Sequence, residues 1–347
     1  MEKITPKRFI NHLLSGVALA IVAGLVPNAI LGELFKYLSQ YHAIFVTLHQ
    51  VVVSIQFTVP VLVGALIAVQ FKLKPLSVAI VASAAFVGSG VAHFKSGAWV
   101  LIGVGDLINT ILTAAIAVLF ILMIGERLGS LSFVLLPTFV GGGAAFIGVL
   151  TLPFVAKITT GIGAMINSFT ELQPILMTML IALTFSFIII SPLSTVAISL
   201  AIGISGYAAG AASLGIAACE AALVIGTMRV NGPGVPITIF LGGVKMMIPN
   251  MIKHPIILLP IFTTAVVTGV VGSVIGIAGT KTSAGFGIIG MIGPINAYRF
   301  LEYAPWLNIL LITLAFFIVP FIVAIVADIV YRKWLRLYDL NIFKFEL

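Results

Sequence analysis

Hydrophobic residues occur along this chain in long stretches that contain no Asp, Glu, Lys or Arg. A bilayer core is crossed by a helix of about 20 apolar residues, and each of these stretches is long enough: residues 9–32, 37–71, 75–94, 128–156, 172–219, 254–280 and 303–327. The pattern predicts an all-α polytopic membrane protein with about ten transmembrane helices.

Glycine and proline interrupt the second half of the chain. The interruptions are "SPLS" from 191, "GISGYAAGAASLG" from 203, "NGPGVP" from 231, "IAGTKTSAGFG" from 277 and "IGPINAY" from 292. Proline lacks an amide hydrogen, so a continuous helix through such motifs is disfavoured. We therefore expect broken or re-entrant helices, with two hairpins. "AIGISG" at 201–206 also echoes "VIGIAG" at 274–279, and paired glycine-interrupted segments often mark the binding site of a transporter.

The composition agrees with a membrane protein. Of 347 residues, 61% are hydrophobic and 8% are charged, whereas soluble domains carry about 25% charged residues. The net charge of +8 comes from basic residues spread thinly over the two ends and short loops. Membrane topology explains this distribution better than nucleic-acid binding does.

The basic residues also predict the orientation. Lys7 and Arg8 precede the first span, and Lys72 and Lys74 follow two spans later. By the positive-inside rule both termini are cytoplasmic, with residues 331–347 as an amphipathic tail at the membrane surface. We expect residues 1–170 to form an N-terminal region with the dimer contact, and residues 171–330 to bind the solute.

Glu220 is the central candidate for a functional residue, because it lies in an otherwise apolar segment. A charge at the centre of a membrane helix costs about 2.5–3.5 kcal/mol on insertion scales, so it usually faces protein or water. Three interpretations remain open at this point: a structural pair with Arg229, a carboxylate that accepts hydrogen bonds from a polar solute, or a proton or cation site.

Further polar residues accompany the breaks in the second half. The candidates for the lining of a solute site are Arg229, Asn231, Asn250, His254, Lys281, Thr282 and Ser283. The alternatives without a role in solute binding are an interfacial loop at 246–255 and a solvated turn at 279–285. In the first half, Asp106 and Asn109 share a helix face, where an interhelical hydrogen bond is the favoured interpretation.

No motif for an independent enzyme is present. The chain lacks a nucleophile elbow, a zinc-protease motif, a Rossmann glycine pattern and an ATP-binding motif, so we expect no cofactor and no metal. Its single cysteine, Cys219, is interpreted as a small buried hydrophobic residue.

The spans, the glycine-rich breaks, the lone glutamate in "ACEAAL" and the following "NGPGVP" resemble the membrane EIIC components of the bacterial sugar phosphotransferase system. More narrowly, the chain is similar to the EIIC-like branch that includes the clostridial toxin-regulating membrane protein. The resemblance implies an elevator-like homodimer in the bacterial plasma membrane that binds a sugar. It also implies that Glu220 contacts the sugar, with His254 as a second candidate.

The resemblance has one departure with consequences. Phosphotransferase permeases receive the phosphoryl group from an EIIB domain that usually carries a phosphorylated cysteine, and the only cysteine here lies in an apolar run. Any phosphorylation is therefore expected from separate EIIB and EIIA chains. Two alternatives stay open: a membrane sensor that binds a ligand without transport, and an ion-coupled carrier that uses Glu220.

Overall fold

The structure is a computed structural model that describes residues 5–124, 128–281 and 283–345, and its regular structure is almost entirely helical. The helices are α1 (Pro6–Leu38), α2 (Ala43–Gln56), α3 (Val59–Gln70), α4 (Pro75–Gly88), α5 (Leu107–Ile124), α6 (Ser132–Leu135), α7 (Gly142–Phe169), α8 (Pro174–Ile190), α9 (Thr195–Ile202), α10 (Gly206–Thr227), α11 (Gly234–Phe240), α12 (Ile248–Lys253), α13 (Leu258–Ile275), α14 (Ile292–Tyr298), α15 (Pro305–Thr313) and α16 (Val319–Asp328). The predicted all-α class is confirmed. The one departure in the described residues is a short antiparallel hairpin of β1 (Ala92–Lys95) and β2 (Ala98–Leu101).

Long apolar helices make the chain a multi-pass membrane protein. Six helical runs in the described residues are long and apolar enough to cross a bilayer: Pro6–Leu25, Leu107–Ile124, Gly129–Phe169, Gly206–Thr227, Pro255–Ile275 and Pro305–Trp334. The pair α2 and α3, bent by 45°, makes a seventh if it counts as one span. The number is lower than the predicted ten because other hydrophobic stretches, such as α4 and α8, form shorter helices.

The glycine and proline motifs end helices largely as the sequence predicts. α8 ends at Ile190, just before "SPLS", and α10 ends at Thr227, before "NGPGVP". Helix α13 ends at Ile275, and the following residue, Gly276, has a left-handed φ of +85°, a conformation that glycine adopts at little cost. "IGPINAY" differs, because it forms α14 and the break lies just before it at Met291.

The described residues divide into two compact units, one of residues 5–28 and 35–158 and the other of residues 29–34 and 159–345. Asn109 is the central polar residue of the first unit. Its amide nitrogen donates to the carbonyl oxygens of Gly88 at 2.6 Å and Gly148 at 2.7 Å, and its oxygen accepts from Thr151 at 2.7 Å. The interhelical hydrogen bond favoured by the sequence is therefore present, and Asp106 caps α5 by accepting from the Asn109 amide.

The second unit is built around α10, which packs against α8, α13 and α16. Glycines permit close approach: Gly215 of α10 and Gly269 of α13 each lie against backbone carbonyls of α8. Small residues of this kind are typical where membrane helices pack tightly. As a result, 94% of the α10 span is buried, compared with 28–44% in the other five runs.

Candidate functional site

The face of α10 that carries Glu220 is covered by protein. Residues at intervals of three and four share one face of a helix, and here that face, the Glu220 face, consists of Gly210, Ser213, Ala217 and Glu220. The glycine-rich segment 276–293 runs along it. The Ile277 carbonyl occupies the space where a Cβ of Gly210 would lie, and Gly287, with φ of +60°, lies against the backbone at Ala217.

Glu220 itself is fully buried, with 0% of its surface exposed. Its Oε2 atom accepts a hydrogen bond from the backbone amide of Ile288 at 3.4 Å, a long distance for such a bond. Its Oε1 atom has no hydrogen-bond partner, and no residue in the described part of the chain forms an ion pair with it. A buried carboxylate oxygen without a donor is costly, so this atom is the most evident binding position of the site.

Hydroxyl groups continue the same face towards the start of α10. The Ser213 hydroxyl donates to the carbonyl of Ser283 at 2.8 Å, and the Ser283 hydroxyl accepts from the Thr280 amide at 2.9 Å. Thr280 in turn donates to the side chain of Asn296 at 3.1 Å. The predicted residue Ser283 thus lies against the Glu220 face of α10, at Ser213, whereas Thr282 lies outside the described residues.

Three other predicted residues form a second group at the end of α10. Arg229 pairs with Asp328 of α16 at 3.2 Å and not with Glu220, so the structural Glu–Arg pair considered from the sequence does not form. Asn231 and Asn250 bind the backbone of residues 342–345 near the end of the chain. Their side-chain amides are therefore occupied by the protein itself.

Asp328 connects this second group to the last part of the chain. It also accepts from Arg332 at 2.8 Å and from the Tyr338 hydroxyl at 3.4 Å. Burial, followed by the nearby charge of Asp328, raises the pKa of the Tyr338 hydroxyl. The phenol therefore stays protonated and is the hydrogen-bond donor in its contact with Asp328.

Two predicted residues lie at the surface. His254 ends α12 and is exposed, and Lys281 is exposed within the glycine-rich segment. Neither forms an ion pair with Glu220 in the described residues.

Lys245 was not among the predicted site residues, although it follows a break in the sequence. Its ammonium donates to the carbonyl oxygens of Ser191 and Leu193, each at 2.6 Å. These carbonyls belong to "SPLS", the break after α8, so Lys245 stabilises that turn. A lysine between two helix breaks could have signalled this role, but its partners lie more than 50 positions earlier.

The two echoed glycine motifs meet in space. Gly206, the last residue of "AIGISG", and Gly279, the last residue of "VIGIAG", form an antiparallel bridge with two hydrogen bonds of 3.0 Å. The central glycines, Gly203 and Gly276, both have positive φ and follow the ends of α9 and α13. The repeated sequence thus corresponds to two similar helix ends joined through backbone bonds, next to the start of α10.

Comparison with known proteins adds the family. The family model for "Phosphotransferase system, EIIC" matches residues 11–345. The chain belongs to this EIIC family. No curated protein and no solved structure matches it. As an EIIC protein, the chain is a membrane permease component of the phosphotransferase system, and the resemblance found from its sequence is confirmed at the level of the family.

Proposed function

We propose that this EIIC protein binds a neutral, polyhydroxylated solute of the sugar type beside Glu220 and carries it across the membrane by alternating access. The observation that carries the proposal is the unpartnered Oε1 atom of a fully buried glutamate. A sugar hydroxyl is a suitable donor, because it supplies the hydrogen bond that this buried carboxyl oxygen otherwise lacks.

The surroundings of Glu220 favour a neutral solute. Arg229 is paired with Asp328, the Lys245 ammonium is held by the Ser191 and Leu193 carbonyls, and Lys281 and His254 are exposed. Binding an anionic solute next to a carboxylate would require a compensating cation, since like charges at close range repel. The nearby hydroxyls of Ser213 and Ser283 extend the polar lining that a sugar needs.

The decisive test replaces the carboxylate with its neutral isostere. We expect Glu220→Gln to fold normally and to weaken solute binding by about 10- to 100-fold, because the amide places a donor where the carboxyl oxygen accepted and a buried polar group left unsatisfied costs about 1–3 kcal/mol. Binding would be measured by calorimetry in detergent with a panel of hexoses, hexitols and disaccharides. The exposed Glu302→Gln provides a matched control.

Unchanged affinity in Glu220→Gln would remove the assignment. Unchanged affinity together with the loss of pH-dependent flux in vesicles would assign Glu220 to proton transfer instead, as in an ion-coupled carrier. Binding without any uptake by the wild-type protein would favour the sensor hypothesis.

The remaining parts of the proposal concern assembly and orientation. We propose a homodimer in which the region before residue 170 forms the contact, and a bacterial plasma membrane location with both ends in the cytoplasm. Phosphorylation of the solute is assigned to separate EIIB and EIIA chains. The basic residues near the last span, Arg332, Lys333 and Arg336, support a cytoplasmic end.

A further inference from the structure

Residues 338–345, which we call the strap, fold back onto the second unit. Two aromatic side chains anchor the strap: Tyr338 is 9% exposed and Phe343 is 1% exposed, and their rings meet edge to face at 5.8 Å. The Phe343 ring lies against Gly226 near the end of α10, where a Cβ would come within 2.6 Å of it. Only glycine leaves room for this ring in its present position.

Two asparagine side chains hold the backbone of the strap. Asn250 donates to the carbonyls of Ile342 at 2.9 Å and Lys344 at 2.8 Å. Asn231 donates to the Phe343 carbonyl at 2.9 Å and accepts from the amide of residue 345 at 2.7 Å. Residues 340–343 of the strap form a short 3₁₀ helix, and the two amides bind the main chain at its last two residues and at the two residues that follow. The two asparagine side chains therefore bind the main chain of the strap, and the space beside Gly226 holds the Phe343 ring.

The strap is seated close to Glu220. Gly226 follows Glu220 by six residues in the same helix, which corresponds to about 9 Å along the axis. Gly226 is seven residues from Cys219 and therefore on the same face as that cysteine, and Asn231, which holds the strap, also donates to the backbone carbonyl of Thr227 at 3.0 Å. The strap consequently covers the end of α10 one to two turns beyond Glu220.

The connection to the strap allows it to move. Residues 333–337 are all exposed and join the strap to the helical run that ends at Trp334. The strap is held mainly by its two rings, by four hydrogen bonds with the side chains of Asn231 and Asn250, and by the bond of the Tyr338 hydroxyl to Asp328. Segments with few buried contacts open locally at lower free energy than a protein core.

We propose that the strap is a releasable gate at the end of α10 that follows Cys219 and Glu220: when it is seated it closes this end of the helix, and when it leaves it opens a path towards these two residues. This inference rests on the proposed function for its consequence in transport. Its structural part, the opening of the buried region around Glu220, stands independently and can be tested without a solute.

The native cysteine offers a reporter for that opening. Cys219 is adjacent to Glu220 and fully buried, so its thiol reacts with a water-soluble reagent only when this region opens. The full chain in lipid nanodiscs would be treated with a small cationic methanethiosulfonate, and the modified fraction followed by mass spectrometry. We expect Phe343→Ala and the double variant Asn231→Ala/Asn250→Ala to react at least about tenfold faster than the wild type.

Two controls separate gating from general destabilisation. Asn341→Ala changes an exposed side chain within the strap and should leave the rate unchanged. Asn109→Ala loosens the first unit and should leave the rate nearly unchanged at a temperature well below its unfolding transition. An unchanged rate in the strap variants, or an equal acceleration in Asn109→Ala, would overturn the gate.

Solute measurements then distinguish the gate from the site. Faster solute exchange in the strap variants, with affinity lost in Glu220→Gln, supports both. Faster Cys219 labelling with normal binding by Glu220→Gln leaves the gate standing and removes the solute site. Loss of binding in Glu220→Gln, with unaltered labelling and exchange in the strap variants, leaves the solute site standing and removes the gate.

Discussion

Two buried polar residues in membrane-spanning helices, Asn109 and Glu220, have opposite surroundings. Asn109 forms three side-chain hydrogen bonds with groups on other helices, so its polar atoms are satisfied and its role is structural. Glu220 has one long hydrogen bond and one oxygen without a partner. In the sequence, both are polar residues in apolar segments. The structure distinguishes them, because the polar atoms of Asn109 have hydrogen-bond partners and one oxygen of Glu220 has none among the described residues.

The structural role of Asn109 makes a prediction at the residue scale. Asn109→Ala removes three buried hydrogen bonds, to the Gly88 and Gly148 carbonyls and from the Thr151 hydroxyl, which we expect to destabilise the protein by about 1–3 kcal/mol. Thermal unfolding in detergent would measure the change. The exposed Asn167→Ala is the control, and an equal melting temperature for the two variants would contradict the structural role.

At the residue scale, the sequence did not show which partner each polar side chain binds. Arg229 lies nine positions from Glu220, yet its ion pair is with Asp328, which is 99 positions away. Asn231 and Asn250 likewise bind the strap, which is more than 90 positions later. The sequence shows which residues are polar, but their partners depend on how distant helices pack.

At the scale of elements, the breaks between helices follow from glycine and proline. The motifs at 191, 203, 231 and 277 all coincide with helix ends. The prediction succeeded because these residues act locally, through a missing amide or a positive φ. The bridge between Gly206 and Gly279 is different, because it joins two elements that the chain separates widely.

The helix ends at Gly203 and Gly276 provide a second prediction. Neither position is crowded: a Cβ at Gly203 meets nothing within 4 Å, and one at Gly276 meets only Tyr207 at 3.9 Å. Alanine at either position should therefore cost about 1–2 kcal/mol through backbone strain alone. Unfolding of each variant would be compared with that of Gly161→Ala.

Gly161 is a suitable control because it lies inside α7 with open space around it. Alanine there should be neutral or stabilising by up to about 1 kcal/mol. If Gly203→Ala and Gly276→Ala were as stable as Gly161→Ala, the left-handed helix ends would be incorrect.

At the scale of the whole molecule, the EIIC family and the buried cysteine predict that solute transport and solute phosphorylation are carried out by different chains. Phosphotransfer through a cysteine of this chain would need an accessible thiol, and the single cysteine is fully buried. We therefore expect the purified protein in vesicles to carry its solute only down a gradient and without phosphorylating it.

This prediction is tested with radiolabelled sugars in vesicles. Sugar phosphate should remain at the level of protein-free vesicles until separate EIIA and EIIB chains with a phosphoryl donor are added. Product formed by the chain alone would show an acceptor that is independent of Cys219, and Cys219→Ala would test that outcome directly.

The sequence by itself determined the features that depend on local composition: the membrane class, the helix breaks, the EIIC resemblance and Glu220 as the central candidate for a functional residue. These follow from hydropathy, from backbone chemistry and from the cost of a charge in an apolar segment. Only the tertiary structure decided which atoms meet. It left Oε1 of Glu220 without a partner, joined the two glycine motifs and placed the strap on Asn231 and Asn250, because such contacts depend on the packing of residues far apart in the chain.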